Sequence, residues 1–302
     1  MADSVTPRSP RRRASAAQSG LLWRHLAGEY SLSRSYWVHT VLLGWCIAFV
    51  GAWALGTIAD RSSARWLSMG VLVLQPVLVL LWLWSMTGTT VSALRKLFRG
   101  PGRLWAVLAL LAMVASALAG ANQMRRLGPA LKEHFEVAAG KQPGKDFAVR
   151  LSADGRVLSF TGGVNEGAAA AIDKAIAAAP QVGTLLLDSP GGWIREGILM
   201  ADVVKRYGLN TRVEHDCYSS CTIVLLAGQN RSAGDQAQIG FHRGRAIGES
   251  GGRRRPVPAE EADIYLKAGL REAFVRRIVS TPNDSIFIPS HRELLHEDVL
   301  TR

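Results

Sequence analysis

The sequence predicts an α/β domain preceded by three transmembrane helices, and two observations carry that prediction. Residues 35–59, 66–94 and 104–124 contain no Asp, Glu, Lys or Arg. Each run supplies the roughly 20 mostly apolar residues that a helix needs to cross about 30 Å of hydrocarbon. From residue 147 onward, short strand-like runs alternate with helical ones, the pattern of a largely parallel sheet with helices laid against it.

The chain therefore divides into a basic N-terminal segment (1–34), a three-span membrane region (35–124), a connector (125–146) and a globular domain (147–302). Trp37, Trp66 and Trp105 stand near the starts of the three apolar runs, where indole rings anchor at a membrane interface. A cleaved signal peptide does not fit, because residues 1–34 are long and polar and further apolar runs follow the first. Residues 1–13, rich in Ser, Pro and Arg, read as a disordered tail.

Basic residues set the expected orientation. Arg8, Arg11, Arg12, Arg13, Arg24 and Arg34 precede the first span, and Arg95, Lys96, Arg99 and Arg103 occupy the second loop, against Arg61 and Arg65 in the first. The positive-inside bias puts the N-terminal segment and second loop in the cytoplasm and everything after the third span outside. Arg125 and Arg126 run against this locally. The net charge of +12 comes largely from these flanking arginines and from Arg253, Arg254 and Arg255. With no basic-aromatic interleaving, the excess suits anionic lipid and excludes a nucleic-acid partner.

In the globular domain, residues 147–151 and 157–160 read as strands joined by a turn at Ala153, Asp154 and Gly155. Residues 165–179 are alanine-rich and helical, 182–187 form an apolar strand, and 194–207 return to helix. A strand at 211–214 leads into Cys217-Tyr218-Ser219-Ser220-Cys221, followed by a helix at 222–227 and a strand at 237–241. Residues 246–257 are Gly-, Arg- and Pro-rich and read as an exposed loop; 259–279 are helical, and a short amphipathic helix lies near 292–296.

Of the three cysteines, Cys46 sits in the first span as a small apolar residue. Cys217 and Cys221 flank Ser219, and a local disulfide and a free buried pair both remain open. Two cysteines do not make a zinc site.

A serine nucleophile needs a base for its proton and an acid to orient that base. Ser219, His242 and Asp284 supply those residue types in that order. Ser219 falls at a strand-to-helix corner, which aims the Ser220 amide at developing negative charge, and Gly191 and Gly192 mark a second such corner where backbone N–H groups approach closely. Each feature also has a plain structural explanation: a helix cap for Ser219, a turn for the glycines and for Asp284, a rim histidine for His242. Lys267 offers an alternative base, although an exposed helix position explains it as well.

The ordered set resembles the Clp protease and crotonase-like superfamily, specifically membrane-anchored bacterial serine peptidases of the Clp or signal-peptide-peptidase type. Leu187-Asp188-Ser189-Pro190-Gly191-Gly192 is similar to that family's oxyanion segment. Cys217-Tyr218-Ser219-Ser220-Cys221 is similar to its nucleophile corner, Ile239-Gly240-Phe241-His242 to the strand carrying the base, and Asn283-Asp284-Ser285-Ile286-Phe287 to the segment carrying the acid. The cysteines around Ser219, the Arg/Gly loop after His242 and the three spans depart from the soluble members.

The resemblance implies a Clp/crotonase-like spiral domain that cleaves peptides or membrane-associated proteins with Ser219, His242 and Asp284. Gly191, Gly192 and Ser220 would form the oxyanion hole. It implies no cofactor and no metal, a homo-oligomer, and a bacterial inner-membrane protein with a periplasmic C-terminal domain. Two other readings belong beside it: a noncatalytic Clp-like binding or assembly protein, and an acyl-CoA-processing enzyme.

Overall fold

The computed structural model describes residues 20–61, 63–99, 101–249 and 259–301. Residues 1–19, with the expected disordered tail and Arg8, Arg11, Arg12 and Arg13, and residues 250–258, the centre of the Arg/Gly loop, lie outside the described residues. The chain falls into two compact units that divide between Phe135 and Glu136.

The first unit is helical. A short helix α1 (Leu21–Leu26) precedes a continuous helical run made of α2 (Leu32–Arg34), a π-helical stretch (Ser35–Leu42) and α3 (Leu43–Arg61). Two long helices follow, α4 (Ala64–Arg99) and α5 (Arg103–Ala138). Three helical segments, Leu32–Ala59, Ala64–Arg99 and Arg103–Ala138, are long and apolar enough to cross a membrane. Large apolar side chains such as Trp45, Phe49, Trp53, Leu80 and Leu118 point outward, the arrangement expected where the solvent is lipid.

The third of these helices differs from expectation. Residues 125–138 continue it without a break, with Pro129 inside. At 1.5 Å per residue its 36 residues reach about 54 Å, well beyond the hydrocarbon thickness, so its polar end has room to project past an apolar layer.

The second unit is an α/β domain with a mixed sheet. Its elements are β1 (Ala148–Leu151), β2 (Val157–Thr161), α6 (Ala168–Ala178), β3 (Thr184–Ser189), α7 (Ile194–Arg206), β4 (Asn210–Tyr218), α8 (Ser220–Leu226), β5 (Arg231–Ala233), β6 (Gln238–Gly240), α9 (Ala259–Lys267), α10 (Glu272–Ser280) and α11 (His291–His296). The sheet order is β1-β2-β3-β4-β5. β1 and β2 form an antiparallel hairpin whose turn uses Gly155 at φ 69°, and the other pairings are parallel.

Two features position the site. Strand β4 serves two neighbours: its first half pairs with β5, while Asp216, Cys217 and Tyr218 pair with Gln238, Ile239 and Gly240 of β6. The ends of β4 and β6 therefore emerge side by side. The expected helix at 259–279 is split into α9 and α10, with Gly269 at φ 94° in the break. The core fills the space between sheet and helices with Phe160, Leu185, Leu187, Ile172, Met200, Val204, Leu225 and Phe241, all fully buried.

Candidate active site

Ser219 occupies the one-residue corner between β4 and α8, with φ 55° and ψ −127°. A non-glycine residue pays a steric cost there, and such a conformation persists only where surrounding contacts over-determine it. They do so here. The Ser219 N–H donates to the Gly240 carbonyl at 2.9 Å. The Ser219 carbonyl accepts from the Thr222 N–H at 2.9 Å and the Thr222 hydroxyl at 2.7 Å. Cys217 and Cys221, both fully buried, are joined by a disulfide across the corner, their Cα atoms 5.3 Å apart. The pairing that the sequence left open is thus oxidised in this structure.

The glycine corner lies against this turn. A Cβ on Gly191 would stand 2.6 Å from the Tyr218 carbonyl oxygen, 2.8 Å from the Ser219 Cβ and 3.2 Å from the Ser220 nitrogen. A Cβ on Gly192 would stand 2.4 Å from the Val164 carbonyl oxygen. Val164 bridges this segment, donating to the Gly191 carbonyl at 2.9 Å and accepting from Trp193 at 2.8 Å. The connector holds the same region: Gln142 Oε1 accepts from Trp193 Nε1 at 2.9 Å, and the Lys145 carbonyl accepts from Asn165 Nδ2 at 2.9 Å.

The three expected oxyanion donors are not equivalent. The Gly191 N–H already donates to the buried Ser189 hydroxyl at 3.1 Å, so Gly191 serves close approach. The Gly192 and Ser220 amides have no protein acceptor among the described residues. The Ser220 amide opens α8, where free N–H groups favour an anion. The Ser220 hydroxyl is itself buried without a hydrogen-bond partner.

His242 follows β6 by two residues. Its position is fixed by Phe241, which exchanges backbone hydrogen bonds with Phe287 at 2.8 and 2.9 Å, and by Arg243, whose N–H donates to the Thr281 carbonyl at 3.0 Å. Burial holds the His242 imidazole below its ordinary titration value. Among the described residues, no hydrogen bond joins the Ser219 hydroxyl to His242.

The side chain within hydrogen-bond reach of His242 Nδ1 is that of Asn283, the neighbour of Asp284. Asn283 Nδ2 lies 3.1 Å from His242 Nδ1 and donates to the Arg243 carbonyl at 3.2 Å. Asp284, the expected acid, is exposed, and its carboxylate accepts from the Ser285 hydroxyl. Both residues are central in a turn closed by Ser285 N–H to the Pro282 carbonyl at 3.0 Å. In such a turn neighbouring side chains leave in different directions, and only the first reaches the histidine.

Other expected or alternative groups lie apart from this chemistry. The Lys267 side chain is 81% exposed and stands 4.0 Å from Asp263 on its own helix, so the alternative base faces solvent. Glu261, unremarked in the sequence, accepts from the Gly244 N–H just after His242, and burial raises its carboxyl above the ordinary value. Among the described residues, no cluster of three or more His, Cys, Asp or Glu side chains could hold a metal ion.

No family model matches the chain, and no curated protein matches it. Among solved structures, a ClpP1 mutant from Listeria monocytogenes is similar at 17% identity and a TM-score of 0.39, with 49% of this chain and 90% of that chain covered. This is a weak structural similarity to the ClpP protease fold, too slight to bear on activity.

Proposed function

We propose that this protein is a membrane-anchored serine hydrolase that cleaves peptide bonds, with Ser219 as nucleophile and His242 as base. The observation that supports this most directly is the convergence of three chain corners. Ser219 is held at a positive φ against Gly191, its N–H is bound by the strand that delivers His242, and the free amides of Ser220 and Gly192 belong to the residues that follow Ser219 and Gly191 in the chain. Attack by the Ser219 oxygen on a carbonyl would place negative charge near those amides. One such donor contributes about 3 kcal/mol to transition-state stabilisation.

The base has a requirement that the resting arrangement does not meet. The Arg243 carbonyl accepts from the Asn283 NH2 group, so the same nitrogen faces His242 Nδ1. His242 then accepts at Nδ1 and carries its proton on Nε2, the opposite of what a base acting through Nε2 needs. In the proposed mechanism Asn283 rotates so that Oδ1 accepts from Nδ1–H, and Nε2 becomes free to receive the serine proton. Asn283 is a positioning residue in this scheme, in the place where the sequence suggested Asp284.

The same amide favours a second reading, a noncatalytic binding or assembly protein on this fold, in which Asn283 keeps the histidine in the unproductive tautomer. A fluorophosphonate reagent separates the two. Covalent labelling of Ser219 in the full-length protein supports the hydrolase, and an accessible but unlabelled Ser219 supports the binding protein.

The proposal places the second unit at the periplasmic face of a bacterial inner membrane, as the arginine distribution suggests. It takes peptides or membrane-associated proteins as substrates and includes assembly with further copies of the chain.

A further inference from the structure

The first unit contains a polar site that the hydrolase chemistry does not use. His25, on α1, is fully buried, and His39, in the π-helical stretch, is 4% exposed. Their Nδ1 atoms lie 2.9 Å apart. Buried ionisable side chains beside a membrane-spanning segment are costly unless they are paired, and pairing of this kind marks proton-handling sites. π-helical turns concentrate at functional sites for a related reason: they aim a side chain that an α-helix would place elsewhere.

The surrounding packing is built to admit these rings. A Cβ on Gly88 of α4 would stand 2.2 Å from the His25 ring, so this position tolerates only glycine while the ring is in place. Trp84 contacts both imidazoles, with centroids 4.4 Å from His25 and 5.5 Å from His39, and Tyr30 lies 5.0 Å from His39. A polar seam fastens the π-helical stretch to α4 beside the pair: Ser35 to Ser92 at 3.0 Å, and Thr40 to Thr89 at 2.9 Å.

Hydrogen-bond direction fixes where protons sit. His25 Nε2 lies 3.4 Å from the Ser85 carbonyl oxygen, and a carbonyl only accepts, so Nε2 carries hydrogen. Neutral His25 then presents a bare Nδ1, and His39 donates Nδ1–H to it. His39 Nε2 is left with a free lone pair.

We propose that His25 and His39 form a binding site for a single proton. An added proton bonds to His39 Nε2, making an imidazolium, and both existing hydrogen bonds survive. A second proton would have to reach His25 Nδ1, where it would face the His39 Nδ1 hydrogen across 2.9 Å. The pair therefore binds one proton without rearrangement and resists the next.

The charged and titratable groups around the pair come from each neighbouring element. Arg24 of α1 pairs with Glu29 and stacks 5.2 Å from the centre of the Tyr30 ring, and Arg34 of α2 stacks 4.5 Å from the same ring. Arg95 of α4 donates to the Gly28 carbonyl at 3.3 Å. These arginines oppose uptake and Glu29 assists it, so the midpoint reports their balance.

Solid-state NMR of the full-length protein in lipid nanodiscs, with nitrogen-15 histidine, tests the site. The expected result is a nitrogen–nitrogen coupling between the two Nδ1 atoms across the hydrogen bond, with uptake of one proton by the pair on acidification. The added proton should appear on His39 Nε2, and His25 should stay neutral over the same range. Absence of the coupling in the wild-type protein, or two independent protonations at ordinary histidine values, would overturn the proposal. Both the coupling and the uptake are read in the wild-type protein, and a pair that shows the coupling but takes up no proton would also overturn the proposal.

Discussion

Asn283 presents its amide nitrogen to His242 Nδ1 at 3.1 Å, and the Arg243 carbonyl holds that nitrogen in place at 3.2 Å. The contact sets which imidazole nitrogen carries the proton, and so, in the proposed mechanism, whether His242 can serve Ser219 as base. Asn283→Asp would offer a carboxylate that accepts from Nδ1–H and leaves Nε2 free. Fluorophosphonate labelling of Ser219 should then accelerate, on the order of 10²-fold, a typical contribution of a positioned general base. Asp284→Ala should change the rate little. A slower Asn283→Asp variant, or a large loss in Asp284→Ala, would return the acid role to Asp284.

The difference between these neighbours shows where sequence reading stops. The helical spans, the alternation of strand and helix, and the Ser219 and Gly191 corners follow from apolar runs and residue types whose conformational preferences act locally. Which of two adjacent polar side chains in the turn after Pro282 faces His242 depends on a contact with residue 243, forty positions earlier in the chain, and no local preference encodes it. The free and occupied amides at Gly192 and Gly191 are separated in the same way, by the Ser189 hydroxyl. The split at Gly269 and the π-helical stretch around His39 arise from packing that periodicity alone does not reveal.

Gly191→Ala tests the close approach at the nucleophile. Its Cβ would fall 2.6 Å from the Tyr218 oxygen and 2.8 Å from the Ser219 Cβ, at a φ of 90°. The expected result is loss of labelling and destabilisation of roughly 1–3 kcal/mol, the range for strained backbone positions. Thermal melts paired with labelling rates measure both effects.

The acidity of His242 gives a pH dependence. Its folded value lies below the ordinary 6.5 because burial disfavours the cation, so the unfolded chain takes up its proton at higher pH than the folded one. Acid therefore favours unfolding through this residue: stability rises with pH up to the ordinary histidine value and then levels off. In the proposed mechanism labelling of Ser219 requires neutral His242 and should persist to pH values below the ordinary 6.5. Asn283→Asp should move that acid limit upward, since a carboxylate stabilises the imidazolium. Melting temperatures of wild type and His242→Gln, followed across pH, should differ in slope only on the acid side.

The disulfide between Cys217 and Cys221 encloses Ser219. Closing so short a loop stabilises the fold by about 2 kcal/mol in the chain-entropy view. Treatment with a reductant should lower the melting temperature and slow labelling together, and Cys217→Ala with Cys221→Ala should reproduce both effects without reductant. Unchanged labelling after verified reduction would show that backbone hydrogen bonds alone hold the corner.

The most direct measurement is intact-protein mass spectrometry of the full-length, membrane-reconstituted protein after exposure to a fluorophosphonate, followed by peptide mapping. A single adduct on Ser219, absent from folded Ser219→Ala and accompanied by peptide cleavage that the same substitution abolishes, is the expected result. A folded protein with Ser219 reachable by solvent but unmodified, or peptide cleavage that survives Ser219→Ala, would contradict the assignment of this corner as a nucleophile site.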